Sequence, residues 1–64
     1  MKVIFEGVEI DFNEVIDTFD RIDSYTIEVL LKGYSSDGRI WQAYGVKCCD
    51  EFELENDADI EEIK

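Results

Sequence analysis

Apolar and polar residues alternate with a period of two over two stretches of this chain, and over a third they recur at a spacing closer to that of a helix. Tyr25, Ile27, Val29 and Leu31 alternate with Thr26, Glu28, Leu30 and Lys32, as in a strand with one buried face. Ser35-Ser36-Asp37-Gly38 then supplies turn chemistry, because glycine takes positive φ freely and aspartate tolerates it. Ile40-Trp41-Gln42-Ala43-Tyr44-Gly45-Val46 returns with strand-forming residues. Residues 25–46 therefore predict one long hairpin, the frame of the fold. A two-residue Asp37-Gly38 turn sets Leu31 opposite Tyr44, Val29 opposite Val46 and Glu28 opposite Lys47, matching apolar with apolar and opposite charges. A four-residue Ser35–Gly38 loop keeps the same faces. This register puts Ile27, Val29, Leu31, Ile40, Tyr44 and Val46 in the core, and Leu30, Tyr34 and Trp41 on the other face.

The flanks complete the element order. Lys2–Phe5 and Val8–Ile10 read as short strands around Glu6-Gly7. From Asp11 the pattern changes. Asp11 and Glu14 form a capping-box pair, with Ile10 and Val15 placed as a hydrophobic staple. Phe12, Ile16 and Phe19 follow i, i+4, i+7, and Glu14, Asp17 and Asp20 turn outward, which predicts a helix ending near Asp23-Ser24. A strand over Glu14–Phe19 is the rival, since Val15, Ile16 and Thr18 are β-branched. Glu51–Glu55 alternates strictly, with Phe52 and Leu54 inward and three glutamates outward, as in a solvated edge strand. Asn56 and Asp57 start a last turn, with Ile60 and Ile63 on one helical face or in a frayed tail. The expected fold is α+β: a curled antiparallel sheet of about five short strands, in the order β-β-α-β-β-β, with one helix laid on it. A small all-β barrel is the alternative.

Composition sharpens what this fold could do. Sixty-four residues make a single small domain over 1–64, near the size where one core is only marginally stabilising. An apolar content of 45% argues against disorder despite the charge. The net charge of −11 opposes direct binding to nucleic acid or to an anionic membrane. No run reaches the ~20 apolar residues of a membrane span. The first residues lack the apolar stretch of a secretory signal, so a cytoplasmic setting is expected.

Few residues offer chemistry. There is no histidine, which removes Ser-His and Cys-His nucleophile pairs and most zinc and haem sites. The four glycines are scattered and form no phosphate loop. Paired carboxylates abound, yet so short a chain can hardly enclose a substrate cleft, and no enzyme is expected. Adjacent Cys48 and Cys49 lack CxxC spacing and read as one buried and one exposed cysteine. Asp57–Glu62 lacks the glycine and the bidentate glutamate of a calcium loop, so neither metal nor cofactor is expected.

The charge is unevenly spread. Residues 1–23 carry seven acids against Lys2 and Arg21, residues 24–49 two acids against three bases, and residues 50–64 eight acids against Lys64. Carboxylates held on a rigid scaffold resemble a row of phosphates, which the basic surface of a nucleic-acid-binding protein would meet. Glu14, Asp17, Asp20, Glu51, Glu53, Glu55 and Asp57, with Trp41 and Tyr34 as aromatic anchors, are the candidate docking residues. In size and charge alone, the chain resembles the compact inhibitors that phages and mobile elements direct against restriction or CRISPR effectors. The expected function is non-enzymatic binding to such a basic protein surface. The alternative is an assembly subunit that self-associates, for instance as a homodimer, through Trp41, Tyr34 and Leu30.

Overall fold

In the computed structural model, which describes residues 1–55 and 58–64, the chain is all-β. Six strands form one antiparallel sheet: β1 (Lys2–Phe5), β2 (Val8–Arg21), β3 (Thr26–Ser35), β4 (Ile40–Cys48), β5 (Glu51–Leu54) and β6 (Glu61–Ile63). Strands β1 to β5 lie in chain order, and β6 also pairs with β4. β5 lies against Gly45–Cys48 and β6 against Ile40–Gln42, so the two share one edge of β4. The sheet does not close into a barrel, and the expected α+β fold is corrected to an open all-β sheet.

The first hairpin forms around Glu6-Gly7, as the sequence predicts. Glu6 and Gly7 both take positive φ, 51° and 80°, the handedness a two-residue hairpin turn requires. β2 then continues past Ile10 to Arg21, through the segment whose spacing predicts a helix. The reason lies in its pairing with β3. Phe12, Val15, Thr18 and Arg21 stand opposite Gly33, Leu31, Val29 and Ile27, while Asp11, Glu14 and Asp17 stand opposite Tyr34, Lys32 and Leu30. The register shifts three times on the way, between Phe12 and Glu14, Val15 and Asp17, and Thr18 and Arg21. Each bulge adds one residue to β2, so its side chains return to the same face every three positions rather than every two. A repeat of three lies close to the 3.6 of a helix, and β2 imitates one.

The central hairpin forms too, but with its second strand turned over. Its connection is odd rather than even in length. The Gly38 amide donates to the Ser35 carbonyl (3.1 Å), and the Ser35 amide donates to the Arg39 carbonyl (3.0 Å). Three residues, Ser36 to Gly38, thus separate the last pair, and Gly38 takes the φ of 90° that closes such a loop. Leu31 consequently faces Ala43, Val29 faces Gly45 and Glu28 faces Val46. A slip of one residue exchanges the two faces of a strand. On β3, Val29 and Leu31 are buried as the alternation predicts, but on β4 the buried residues are Trp41, Ala43 and Gly45, while Tyr44 is exposed.

Ile10, Phe12, Val29, Leu31, Trp41 and Ala43 form the core. A single sheet buries them by curling until its first strand meets its fourth, bringing the Phe5 ring edge-on to Trp41 at 5.8 Å. Phe52 and Leu54 face this concave side as their alternation predicts, with Val3, Val8 and Ile60 packed around it. Gly45 lets β5 approach: a Cβ there would stand 2.5 Å from the Glu53 carbonyl oxygen and 3.1 Å from Leu31 Cδ1. Gly45→Ala should therefore push β5 outward at a cost of about 1–3 kcal/mol. A lower urea midpoint, with hydrogen-exchange protection lost first from the β5 amides, is the expected result.

Candidate protein-docking face

Residues that pair across an antiparallel sheet share a face, so the register defines the convex side row by row. Glu14, Lys32, Gln42 and Glu61 form one row; Asp17, Leu30 and Tyr44 the next; Glu28, Val46 and Glu53 a third; and Thr26, Cys48 and Glu51 a fourth. Lys2, Ile4, Glu9 and Asp11 extend the same face onto β1 and the start of β2. Glu55 enters through its amide, which donates to the Tyr44 carbonyl (3.4 Å), and Phe19 through its ring, 5.6 Å from that of Tyr44. The strands thus bring Glu14, Asp17, Glu51, Glu53 and Glu55 onto one surface, around an apolar strip of Phe19, Leu30 and Tyr44.

The candidate residues separate into three groups. Glu14 is tied to Lys32 (Oε2 to Nζ, 3.8 Å) and accepts from the Tyr34 hydroxyl at 3.4 Å, so Tyr34 does lie on this face, half exposed. Asp20 stands close enough to Glu28 to act on its charge. Trp41 is corrected to the concave core: it is 6% exposed, and its Nε1–H donates to Ser35 Oγ at 2.9 Å. Asp57 falls outside the described residues. Glu28 and Glu61 join the face unforeseen. The alternation already puts Glu28 beside Leu30 and Lys32, and that was the signal for it.

The face is crowded with like charge. The Glu28 carboxyl is raised above its ordinary 4.5, first because hydrogen bonding with the Glu55 carboxyl favours its protonated form, then by partial desolvation and by the charges of Glu55 and Asp20. At the hairpin loop the shift is opposite: Asp37 is held at about 2, by hydrogen bonds from Arg39 and then from the Ser35 hydroxyl. Arg39 Nη2 lies 2.7 Å from Asp37 Oδ2 and Nη1 lies 3.6 Å from Glu62, while the guanidinium covers the Trp41 ring at 4.7 Å. Ser35 Oγ thus links Asp37 to Trp41 and fixes the loop; the constellation is structural.

These shifts give opposite signs in acid. A carboxyl raised by folding adds stability as pH falls through its raised value toward 4.5, and one depressed by folding removes stability between 3.8 and about 2. The thermal midpoint should therefore rise on acidification from neutrality, pass a maximum near pH ~4, and fall steeply below pH ~3. A midpoint that only falls from pH 7 downward would contradict the crowding.

The thiols stand differently from the sequence reading. Cys48 ends β4 and Cys49 begins the turn to β5 at a φ of 61°, and both are exposed rather than one buried. The Cys49 thiol is pushed up by Cys48 foremost, and then by Asp50 and Glu51, which disfavours the reactive thiolate. Among the described residues, no three or more acidic or sulfur ligands gather as a metal site, and no helix is long and apolar enough to cross a membrane. A cavity of about 230 Å³ opens where the chain leaves β5 before β6, walled by Leu30, Tyr44, Glu55, Asp59 and Glu61. That is smaller than the ~300–1,000 Å³ typical of ligand pockets. Comparison of the chain with known protein families, curated proteins and solved structures gives no match, which leaves geometry and charge to speak for function.

Proposed function

We propose that this chain is a non-enzymatic binding module whose convex acidic face docks on a basic surface of another protein, in particular one that holds nucleic acid. The observation that carries the reading is the register, which gathers Glu14, Asp17, Glu28, Glu51 and Glu53 from three strands onto one convex face, where the Glu28 carboxyl is raised by its acidic neighbours Glu55 and Asp20. Carboxylates kept only for solubility would spread apart to lower their repulsion. Here strands from distant parts of the sequence hold them together against it, at a cost to folding that a cationic partner would relieve. Tyr34, Tyr44 and Phe19 add exposed aromatic surface among the charges, a composition suited to a docking face. The reading fits an inhibitor of the phage or mobile-element kind acting in the cytoplasm. Self-association through Trp41, Tyr34 and Leu30 loses its main anchor, because the Trp41 ring is enclosed by the fold.

The test is competition. A partner obtained by affinity capture should give up its bound nucleic acid to this chain, and raised salt should weaken their complex. Glu51→Lys, Glu53→Lys and Glu55→Lys should weaken it step by step; affinity indifferent to these reversals would sink the proposal.

A further inference from the structure

Beyond Asp11, the outer edge of β2 is taken by no strand among the described residues. β1 pairs with it only as far as Asp11, and the Phe12 amide donates to the Met1 carbonyl (2.7 Å) just beyond. From Asn13 to Arg21 the opposite side of β2 is paired with β3, and among the described residues no strand lies along its outer side. Because the bulges add residues to β2, these nine residues run alongside only Ile27–Lys32 of β3, which is about 20 Å of edge. Every side chain in this stretch is exposed except that of Val15, and Ile16 and Phe19 are among them. An unpaired edge of this length is a template for another strand.

We infer that the Asn13–Arg21 edge captures an extended basic segment of the partner protein by strand addition. The inference rests on the proposed basic partner and adds how it is held. The charges select the occupant. Glu14 and Asp17 stand on the convex side at a spacing of three, Asp20 acts on Glu28 there, and Arg21 is the one cation of the stretch. A strand laid alongside would meet these carboxylates with every second side chain, and Val15, Thr18 and the protruding Ile16 with the others. Alternating lysine or arginine with β-branched residues satisfies both sides. A second copy of this chain does not, because antiparallel pairing centred on Asp17 sets Glu14 against Asp20. The three bulges act in the same direction. They bend and twist the edge, so a rigid flat sheet edge cannot follow it, whereas a flexible segment can.

The probe is a capped peptide, Lys-Val-Lys-Val-Lys-Val-Lys, compared with the same peptide N-methylated at alternate residues and with a Glu-Val counterpart. With the first peptide, amide exchange should slow at those Asn13–Arg21 amides which the β3 ladder leaves open. N-methylation keeps every charge but removes the donors along one edge, and should weaken binding at least tenfold; the Glu-Val peptide should not bind. Ile16→Lys, at an exposed bulge, should weaken the lysine peptide about tenfold and leave the fold intact. If the N-methylated peptide binds as well as its parent, strand addition is wrong, though the acidic face can still be the docking site. If neither basic peptide binds, the basic-partner reading fails with it. Sedimentation showing a concentration-dependent dimer that protects the same amides would assign the edge to self-association and overturn the inference.

Discussion

Phe12→Ala is expected to unfold the domain at room temperature, whereas Ile16→Ala, four residues along the same strand, should leave it folded. Phe12 is fully buried against Ile10, Leu31 and the flat surface of Gly33. Truncating such a side chain costs about 3–5 kcal/mol, through lost transfer energy and the cavity left behind. One core in a chain of this length supplies only about 3–5 kcal/mol in total, so nothing remains. Ile16 lies at the second bulge and is 44% exposed, and its removal should cost no more than about 0.5 kcal/mol. Circular dichroism of Phe12→Ala should show a largely disordered chain, and the urea midpoint of Ile16→Ala should stay near that of the parent. The contrast separates a bulged strand from a helix. On a helix, Phe12, Ile16 and Phe19 would share one buried stripe, and both truncations would be costly.

That contrast also locates what the sequence made legible. Strict alternation served well: the strands read from Tyr25–Lys32 and Glu51–Glu55 form as β3 and β5, with β3 running on to Ser35, and the short strands read around Glu6-Gly7 form as β1 and the start of β2. Phe52 and Leu54 face inward as their spacing requires. What failed was the segment whose alternation is interrupted, and also the tail, where Glu61–Ile63 is neither helical nor frayed but forms strand β6 against Ile40–Gln42. Three bulges gave β2 a repeat that the two standard periods cannot distinguish from a helix, and Asp11 with Glu14 mimicked a cap. In the folded chain Asp11 and Glu14 instead face Tyr34 and Lys32 across the sheet. The β-branched Val15, Ile16 and Thr18 were the contrary signal, and it was the better one.

The exchange of Trp41 and Tyr44 has a second cause, the length of a loop. Ser35-Ser36-Asp37-Gly38 is compatible with even and odd turns, and each assigns opposite faces to every residue of β4. The odd loop is held by groups whose partnership spans sequence and space together: Ser35 reaches Trp41, and Arg39 reaches Asp37 and Glu62. Glycine at position 45 was the readable clue, since a residue without a side chain suits the side where β5 approaches. The docking face escaped this error. Glu14, Asp17, Glu51 and Glu53 lie on the convex side, at positions the sequence had turned outward, even though the element type on β2 was misread, whereas Glu28 and Glu61 were not foreseen there.

The triple variant Glu51→Lys, Glu53→Lys, Glu55→Lys should lose about a thousandfold in affinity for a basic partner while becoming more heat-stable at neutral pH. Each reversal exchanges an attraction for a repulsion. With charges near 4 Å at a protein surface, screened by salt over about 8 Å, a loss of about tenfold per site is expected. The gain in stability follows from Glu28: replacing Glu55 by lysine removes the foremost cause of its raised pKa and supplies a cation in its place. The acid-side rise in midpoint should shrink accordingly, because folding then no longer favours the protonated Glu28. Glutamine at the same three sites should give an intermediate loss of affinity, as charge removal is half of charge reversal. Affinity and stability moving in opposite directions is what a face strained for binding requires. Reversals that lowered both would mean that the glutamates support β5 itself, and affinity left unchanged would take the acidic face out of binding altogether.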